Sequence, residues 1–342
     1  KLSPAQWQVV YGMARAHAIH GLLYAAVERC SRYDNRPPRE LLLKWYMEVE
    51  QLRKANARMN AQAAKIVDMF AAKGWRGVVL KGQGIARLWP DGGLRSPGDI
   101  DYYTDAPLAQ LIPWLRQESS APIVVSFKDV ACQLAGEAPV EVHFMPAVMT
   151  CPWANRRWQR WVAEQQEAIF AHRARLADGE TELPVPTPEF DAVFMALHIY
   201  RHLFHEGIGL RQIIDYRQLL LHNPQLAREG KTAAVLRQLG LERFGHALAW
   251  VLQTCLALPA ECLLFSPDEQ EGRFLLNEIM TGGNFGRSAS PQASVMVGDG
   301  WQRFVNVMQA NVHLFTHYPR EVFFNPLYTL RQRLWRWRRH YL

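Results

Sequence analysis

Cysteine is scarce in this chain, and the few present are not placed to cooperate. Five occur in 342 residues, at Cys30, Cys132, Cys151, Cys255 and Cys262, with no C-x-x-C pair. The odd count and wide spacing argue against a disulfide framework or a structural zinc site and fit a reducing compartment, so a cytoplasmic location is expected. Long apolar runs are missing too. None reaches the ~18–20 residues that a membrane helix needs. The first residues, KLSPAQWQVV, show no basic-then-apolar leader. No repeat of fixed period occurs. With 49% hydrophobic and 21% charged residues, the composition excludes a disordered chain. An ordinary globular protein remains, long enough for two domains. Its formal charge of +7 attracts anions such as nucleotides, nucleic acid or lipid headgroups, without choosing among them.

The pattern predicts helices over residues 3–29 and 39–73. In the second, Leu41, Trp45, Leu52, Met59 and Ile66 recur at helical spacing, and Gly74 stands where a helix C-cap belongs. Val78-Val79-Leu80 then reads as a buried strand. Lys81-Gly82 leads into a short helix expected over Ile85 to Trp89. Asp99 to Tyr103 reads as the next strand, 106–117 as a helix, and Val130–Leu134 and Val140–Phe144 as strands joined by a turn at 136–139. Residues 151–188 read as a helix followed by an extended crossing, and helical patterns dominate from Glu189 on. The fold class is α+β: a small mixed sheet with flanking helices, plus a mainly helical C-terminal domain. The expected divisions are 1–73, an N-terminal helical segment; 74–188, the domain that holds the sheet; and 189–342, the helical domain.

Within a strand, alternate residues share a face, so Asp99 and Asp101 project to one side and Ile100 to the core. Two neighbouring carboxylates repel, and a hard divalent cation removes that repulsion. Val140-Glu141-Val142-His143 repeats the alternation. If this strand lies beside the first, Glu141 adds a third carboxylate, and one or two Mg²⁺ ions, or Mn²⁺, would be held by Asp99, Asp101 and Glu141. A solvated edge strand is the plainer alternative for an isolated D-x-D. Upstream residues favour the metal: Lys81 and the backbone at Gly82 are placed to hold phosphate, as are Arg95 and Ser96.

The stretch VVLKGQGIARLWPDGGLRSPGDIDYYTD resembles a bacterial nucleotidyltransferase family of the polymerase-beta-like superfamily. That family's pattern is L-K-G, a short helix ending in aromatic-Pro, then R-x-x-x-D-I-D. VEVHF is similar to its third-carboxylate strand, with Glu141 where Asp is usual. ALHIYRHLFHEGIGLRQIIDYRQLL and GGNFG at 282–286 extend the likeness to about residues 75–290. The wider superfamily usually has Gly-Gly or Gly-Ser at Lys81-Gly82, a departure shared with some toxin-like members. The resemblance implies Mg²⁺-dependent transfer of a nucleoside monophosphate from a nucleoside triphosphate to an unknown acceptor, small molecule, protein or RNA. Asp99, Asp101 and Glu141 would be catalytic, and Lys81, Gly82, Arg95 and Ser96 would bind the nucleotide. A non-catalytic nucleotide- or RNA-binding protein and a toxin-like enzyme acting on RNA ends are the alternatives.

In the second half, His198, His202 and His205 fall on one helix face. They read as a hydrogen-bonded polar stripe or as a metal site lacking the H-E-x-x-H glutamate, and the resemblance implies a third reading, a cleft wall. The resemblance adds His143, His202, Arg211 and Asp215 as cleft contacts. Arg211 and Asp215, four apart, are also able to form a helical ion pair. The tail NPLYTLRQRLWRWRRHYL interleaves arginine with tryptophan, which suits nucleic acid, a membrane surface or a plainly packed last helix. Oligomeric state is left open.

Overall fold

The structure, a computed structural model, describes residues 1–29, 35–205, 207–283 and 312–338. Cys30, the end of the GGNFG stretch, and Arg339 and Tyr341 of the tail lie outside these residues. The Arg333, Arg336 and His205 side chains do too.

A five-stranded mixed sheet organises the first half. Its strands are β1 (Gly77–Leu80), β2 (Ile100–Thr104), β3 (Val124–Val125), β4 (Asp129–Cys132) and β5 (Val140–His143), in the order β1-β2-β5-β4-β3. β2 and β5 run parallel, and the other pairs are antiparallel. Alternation sorts the side chains between two cores. Val79, Ile100, Tyr102, Val130, Val140 and Val142 pack against α3 (Arg39–Ala71) and α5 (Leu108–Glu118). Val78, Leu80 and Tyr103 join the other core with α6 (Pro152–Ala171) and α7 (Pro188–His205). That second core continues through α8 (Leu210–His222), α9 (Gln225–Glu229), α10 (Lys231–Leu239), α11 (Glu242–Trp250) and α12 (Glu269–Gly282). The last helix, α13 (Pro319–Arg338), returns to the sheet, where Trp335 meets the Phe127 and Phe144 rings at 5.5 and 6.5 Å. Among the described residues, no helix is long and apolar enough to cross a membrane.

Several elements differ from expectation. Residues 3–29 form two helices, α1 (Pro4–Ala16) and α2 (His20–Arg29), because the chain turns at Ala18 with φ +55°. The short helix after β1 is α4, at Gly82–Ala86 rather than 85–89. The crossing after α6 is a hairpin, β6 (Arg173–Arg175) with β7 (Glu182–Pro184), turning near Gly179 at φ +77°.

Two buried amides on α3 hold the loops that carry the site. Asn56 Nδ2 donates to the Gly93 and Arg95 carbonyls at 3.1 and 2.9 Å. Gln62 Nε2 donates to the Leu134 and Ala138 carbonyls at 2.7 and 2.8 Å, and its Oε1 accepts from Ala138 N. Each loop carbonyl so bonded would otherwise lose water without replacement.

Candidate metal centre

The parallel register of β2 and β5 sets Asp101 beside Glu141 and Tyr103 beside His143. Valines 140 and 142 take the core face, so Glu141 and His143 join Asp101 on the opposite one. One ligand atom each from Asp101, Glu141 and His143 lies within 4.8 Å of the others. The expected trio had Asp99 in place of His143. Asp99 sits immediately before β2, which starts at Ile100, and stands outside this cluster. Strand alternation therefore does not govern its direction. It remains close in charge terms: the Asp101 carboxylate and burial raise its pKa.

Asp101 is buried and fully engaged. Its Oδ2 lies 2.9 Å from the Lys81 ammonium and its Oδ1 2.9 Å from His143 Nε2. Burial works against its charge, but Lys81 and His143 outweigh it and hold the carboxyl well below the usual range. For His143, burial and Lys128 oppose the imidazolium. Its bonds to Asp101 and Glu141 prevail, so the pKa rises. Lys81 reaches this spot from a backbone that L residues rarely adopt, φ +46°, where β1 breaks into α4. Such a conformation costs on the order of 1–3 kcal/mol and persists where the surroundings impose it. Lys81 Nζ also lies 3.4 Å from His198 Nε2.

These groups line a cleft of about 500 Å³ between the sheet and the helical half. Gly82, Asp99, His202 and Arg211 are on its wall with them, and α13 contributes Tyr328, Thr329 and Gln332. His198 and His202 stack edge-on at 4.2 Å, and burial drives the His198 pKa well down, so it is neutral. Of the three readings of this helix face, the cleft wall describes the placement of both.

Arg95 and Arg211 both line the cleft. Arg95, expected at phosphate, directs its fork to Asp215, with Nε–Oδ1 at 2.9 Å and an NH₂ group to Oδ2 at 2.8 Å. Trp89 Nε1 adds a bond of 2.8 Å to the same carboxylate. Both side chains are 5% exposed. Asp215 therefore does not pair with Arg211 one helical turn away. Arg211 instead donates to the Ser96 carbonyl at 2.8 Å, and its buried Nε has no hydrogen-bond partner. Burial and the neighbouring Arg95 pull its pKa down to about 10, so it is still charged at neutral pH. A buried cation with an unmade bond, beside Asp99 and Asp101, is the arrangement an anion completes. Ser96 lines an adjoining pocket against α1–α3 rather than this cleft, and its buried hydroxyl has no hydrogen-bond partner.

Lys128 was missed from the sequence. It bonds Asp129 and lies 3.6 Å from Glu141. The pairing of β4 with β5, which sets Asp129 opposite His143, delivers it. A Lys-Asp pair opening the strand before V-E-V-H was the available signal. Arg201 also reaches the cleft from α7, bonded to the Val148 carbonyl and packed 5.3 Å over the Tyr328 ring.

Residues 3–257 match the family described as uncharacterised nucleotidyltransferase. No curated protein matches the chain in sequence. Among solved structures, it is similar to an antigenic nucleotidyltransferase-like protein from Paracoccidioides brasiliensis. The two are 14% identical with a TM-score of 0.36, over 63% of this chain and 96% of that one. The family match spans three quarters of the sequence and contains β1, β2, β5 and Arg211, and by it the chain belongs to the nucleotidyltransferases of that uncharacterised family.

Proposed function

We propose that this protein transfers a nucleoside monophosphate from a nucleoside triphosphate to an acceptor hydroxyl or similar nucleophile, releasing pyrophosphate, with Mg²⁺ or Mn²⁺ as cofactor. One observation carries the reading. Asp101 and Glu141 stand side by side across β2 and β5, in a cleft whose helical wall supplies the incompletely bonded Arg211. The donor set suits a hard divalent ion, since carboxylate oxygens are its preferred ligands. Lys81 already sets a positive charge against Asp101. Asp101, Glu141 and Asp99 would hold the ion. Once bound, it would neutralise triphosphate charge and favour ionisation of the attacking group.

The chain's own residues do the rest. Arg211, on the cleft wall, takes phosphate oxygens through its guanidinium, and Lys81 adds a second positive charge on the same wall. Glu141 is half-buried with its carboxylate toward the cleft. It accepts the acceptor's proton directly or through water. Arg95 and Asp215 serve as scaffold beneath the loop that leads to Asp99. Residues of α7 and α13 close the opposite wall, where the acceptor is selected.

The test incubates each of four labelled triphosphates with Mg²⁺, cell extract and total RNA, using wild type, Asp101→Asn and Arg211→Gln. Binding is followed in parallel by thermal unfolding. At ligand about 100-fold above Kd, stabilisation should be near 2.7 kcal/mol. The expected result is that one triphosphate stabilises wild type and labels an acceptor. Asp101→Asn should transfer nothing, and Arg211→Gln should lose most of the stabilisation. No stabilisation by any triphosphate would overturn the proposal. Binding without label transfer would overturn its catalytic part.

A further inference from the structure

The two faces of α13 differ sharply. Glu321, Asn325 and Tyr328 are buried on the inner face. On the outer face Phe323, Leu327, Leu330, Leu334 and Trp337 are 64, 53, 56, 47 and 66% exposed. Their 4-3-4-3 spacing places all five within an arc of about 80° and along about 21 Å of helix. Singly exposed apolar residues are ordinary on a protein surface, but a continuous stripe of five is not. One border is basic. Arg331, packed 5.4 Å over the Phe127 ring, and Arg338 are exposed. The helix sequence contains five arginines and one acid, the buried Glu321.

We propose that this stripe docks the protein on an anionic lipid bilayer, with α13 lying in the headgroup plane. An amphipathic helix with a basic polar border and Phe, Trp and Leu on the other side gains apolar burial and headgroup attraction together. Charge argues against a second copy of this chain as the occupant, because a symmetric helix pair brings like-charged arginines together. The three leucines argue against nucleic acid, which such side chains do not stack on. Docking is peripheral, since no helix among the described residues is fit to cross a bilayer. The inner face of the same helix gives Tyr328 and Gln332 to the cleft. A docked protein therefore holds its cleft roughly one helix diameter, ~10 Å, from the lipid surface. This inference does not depend on the proposed reaction.

Co-sedimentation of the full chain tests it, using vesicles of phosphatidylcholine alone and of phosphatidylcholine mixed with phosphatidylglycerol. The protein should sediment with the mixed vesicles, weakly with the neutral ones, and less as salt rises. Leu330→Asp and Trp337→Ser, made separately, should each weaken binding about tenfold or more. Both sites are exposed, so the unfolding temperature of each variant should match wild type. Absence of sedimentation with mixed vesicles overturns the proposal, as does undiminished binding by both folded variants. Equal binding to neutral vesicles overturns its anionic part. A dimer in light scattering that Leu330→Asp converts to monomer makes a second copy the occupant.

Discussion

Replacing Arg95 with Ala separates scaffold from substrate contact. The guanidinium makes two bonds of 2.9 and 2.8 Å to Asp215, with both side chains 5% exposed. Its removal leaves a buried carboxylate with one remaining side-chain bond, from Trp89 at 2.8 Å. Breaking a buried pair by deleting one partner costs about 3–5 kcal/mol, because the other charge stays buried without compensation. The unfolding midpoint should fall by on the order of 10 °C. Asp215→Leu alone should cost a similar amount. The double variant Arg95→Met, Asp215→Leu should recover most of the loss, since apolar side chains of similar size often replace a buried pair at little cost. Circular dichroism melts of the three variants give the cycle, and triphosphate-induced stabilisation is measured on each. A scaffold role for Arg95 is refuted if Arg95→Ala melts with wild type yet no longer responds to triphosphate. That outcome would make Arg95 a phosphate ligand.

Two further outcomes follow from groups nearby. Asp191, buried and with one carboxylate oxygen unbonded, has a pKa raised to about 8 by burial, Arg87 opposing only weakly. A folded value above the unfolded ~3.9 gives a contribution that is complete below about pH 4 and lost as pH rises through about 8. Asp191→Asn should therefore gain on wild type between pH 4 and 8 and level off above, as read by urea unfolding at stepped pH; a difference independent of pH would refute this. Lys81→Met removes the ammonium 2.9 Å from buried Asp101. Its nucleotide-free form should lose about 3 kcal/mol and regain most of it with Mg²⁺, whereas wild type should respond little. A variant whose melting ignores Mg²⁺ would exclude Asp101 as a metal ligand.

Local pattern carries some of this molecule well. Val78–Leu80, Ile100–Tyr103 and Val140–His143 are strands because their residue types and alternation leave few other options, and the same alternation sets Asp101, Glu141 and His143 on one face. It gives no partner list. Arg95 meets Asp215 across 120 positions and Gln62 meets Ala138 across 76. Nothing near either residue encodes such a meeting. Asp99 shows the limit of period-two reasoning at the residue just before a strand, where backbone direction is not yet that of the sheet. Lys128 reaches the cleft through a neighbouring strand, so its place follows from sheet order rather than from its own segment. The break at Ala18 lies inside a continuous helical pattern, and tertiary contacts impose it: the His17 carbonyl accepts from Arg211 N at 3.3 Å.

The two amides of α3 make chain length in that helix a functional quantity. Asn56 holds the Gly93–Arg95 loop and Gln62 holds the 134–138 turn. Six helical steps separate them, about 9 Å of helix rise. One inserted or deleted residue between them would change the spacing by about 1.5 Å and rotate one amide by about 100° away from its loop. The segment from 56 to 62 thus acts as a ruler that tolerates exchange of its outward side chains but not a change in their number. Asn60, between them on the same helix, donates to Asp178 Oδ2 at 2.8 Å and so ties the hairpin turn near Gly179 to the same spacing.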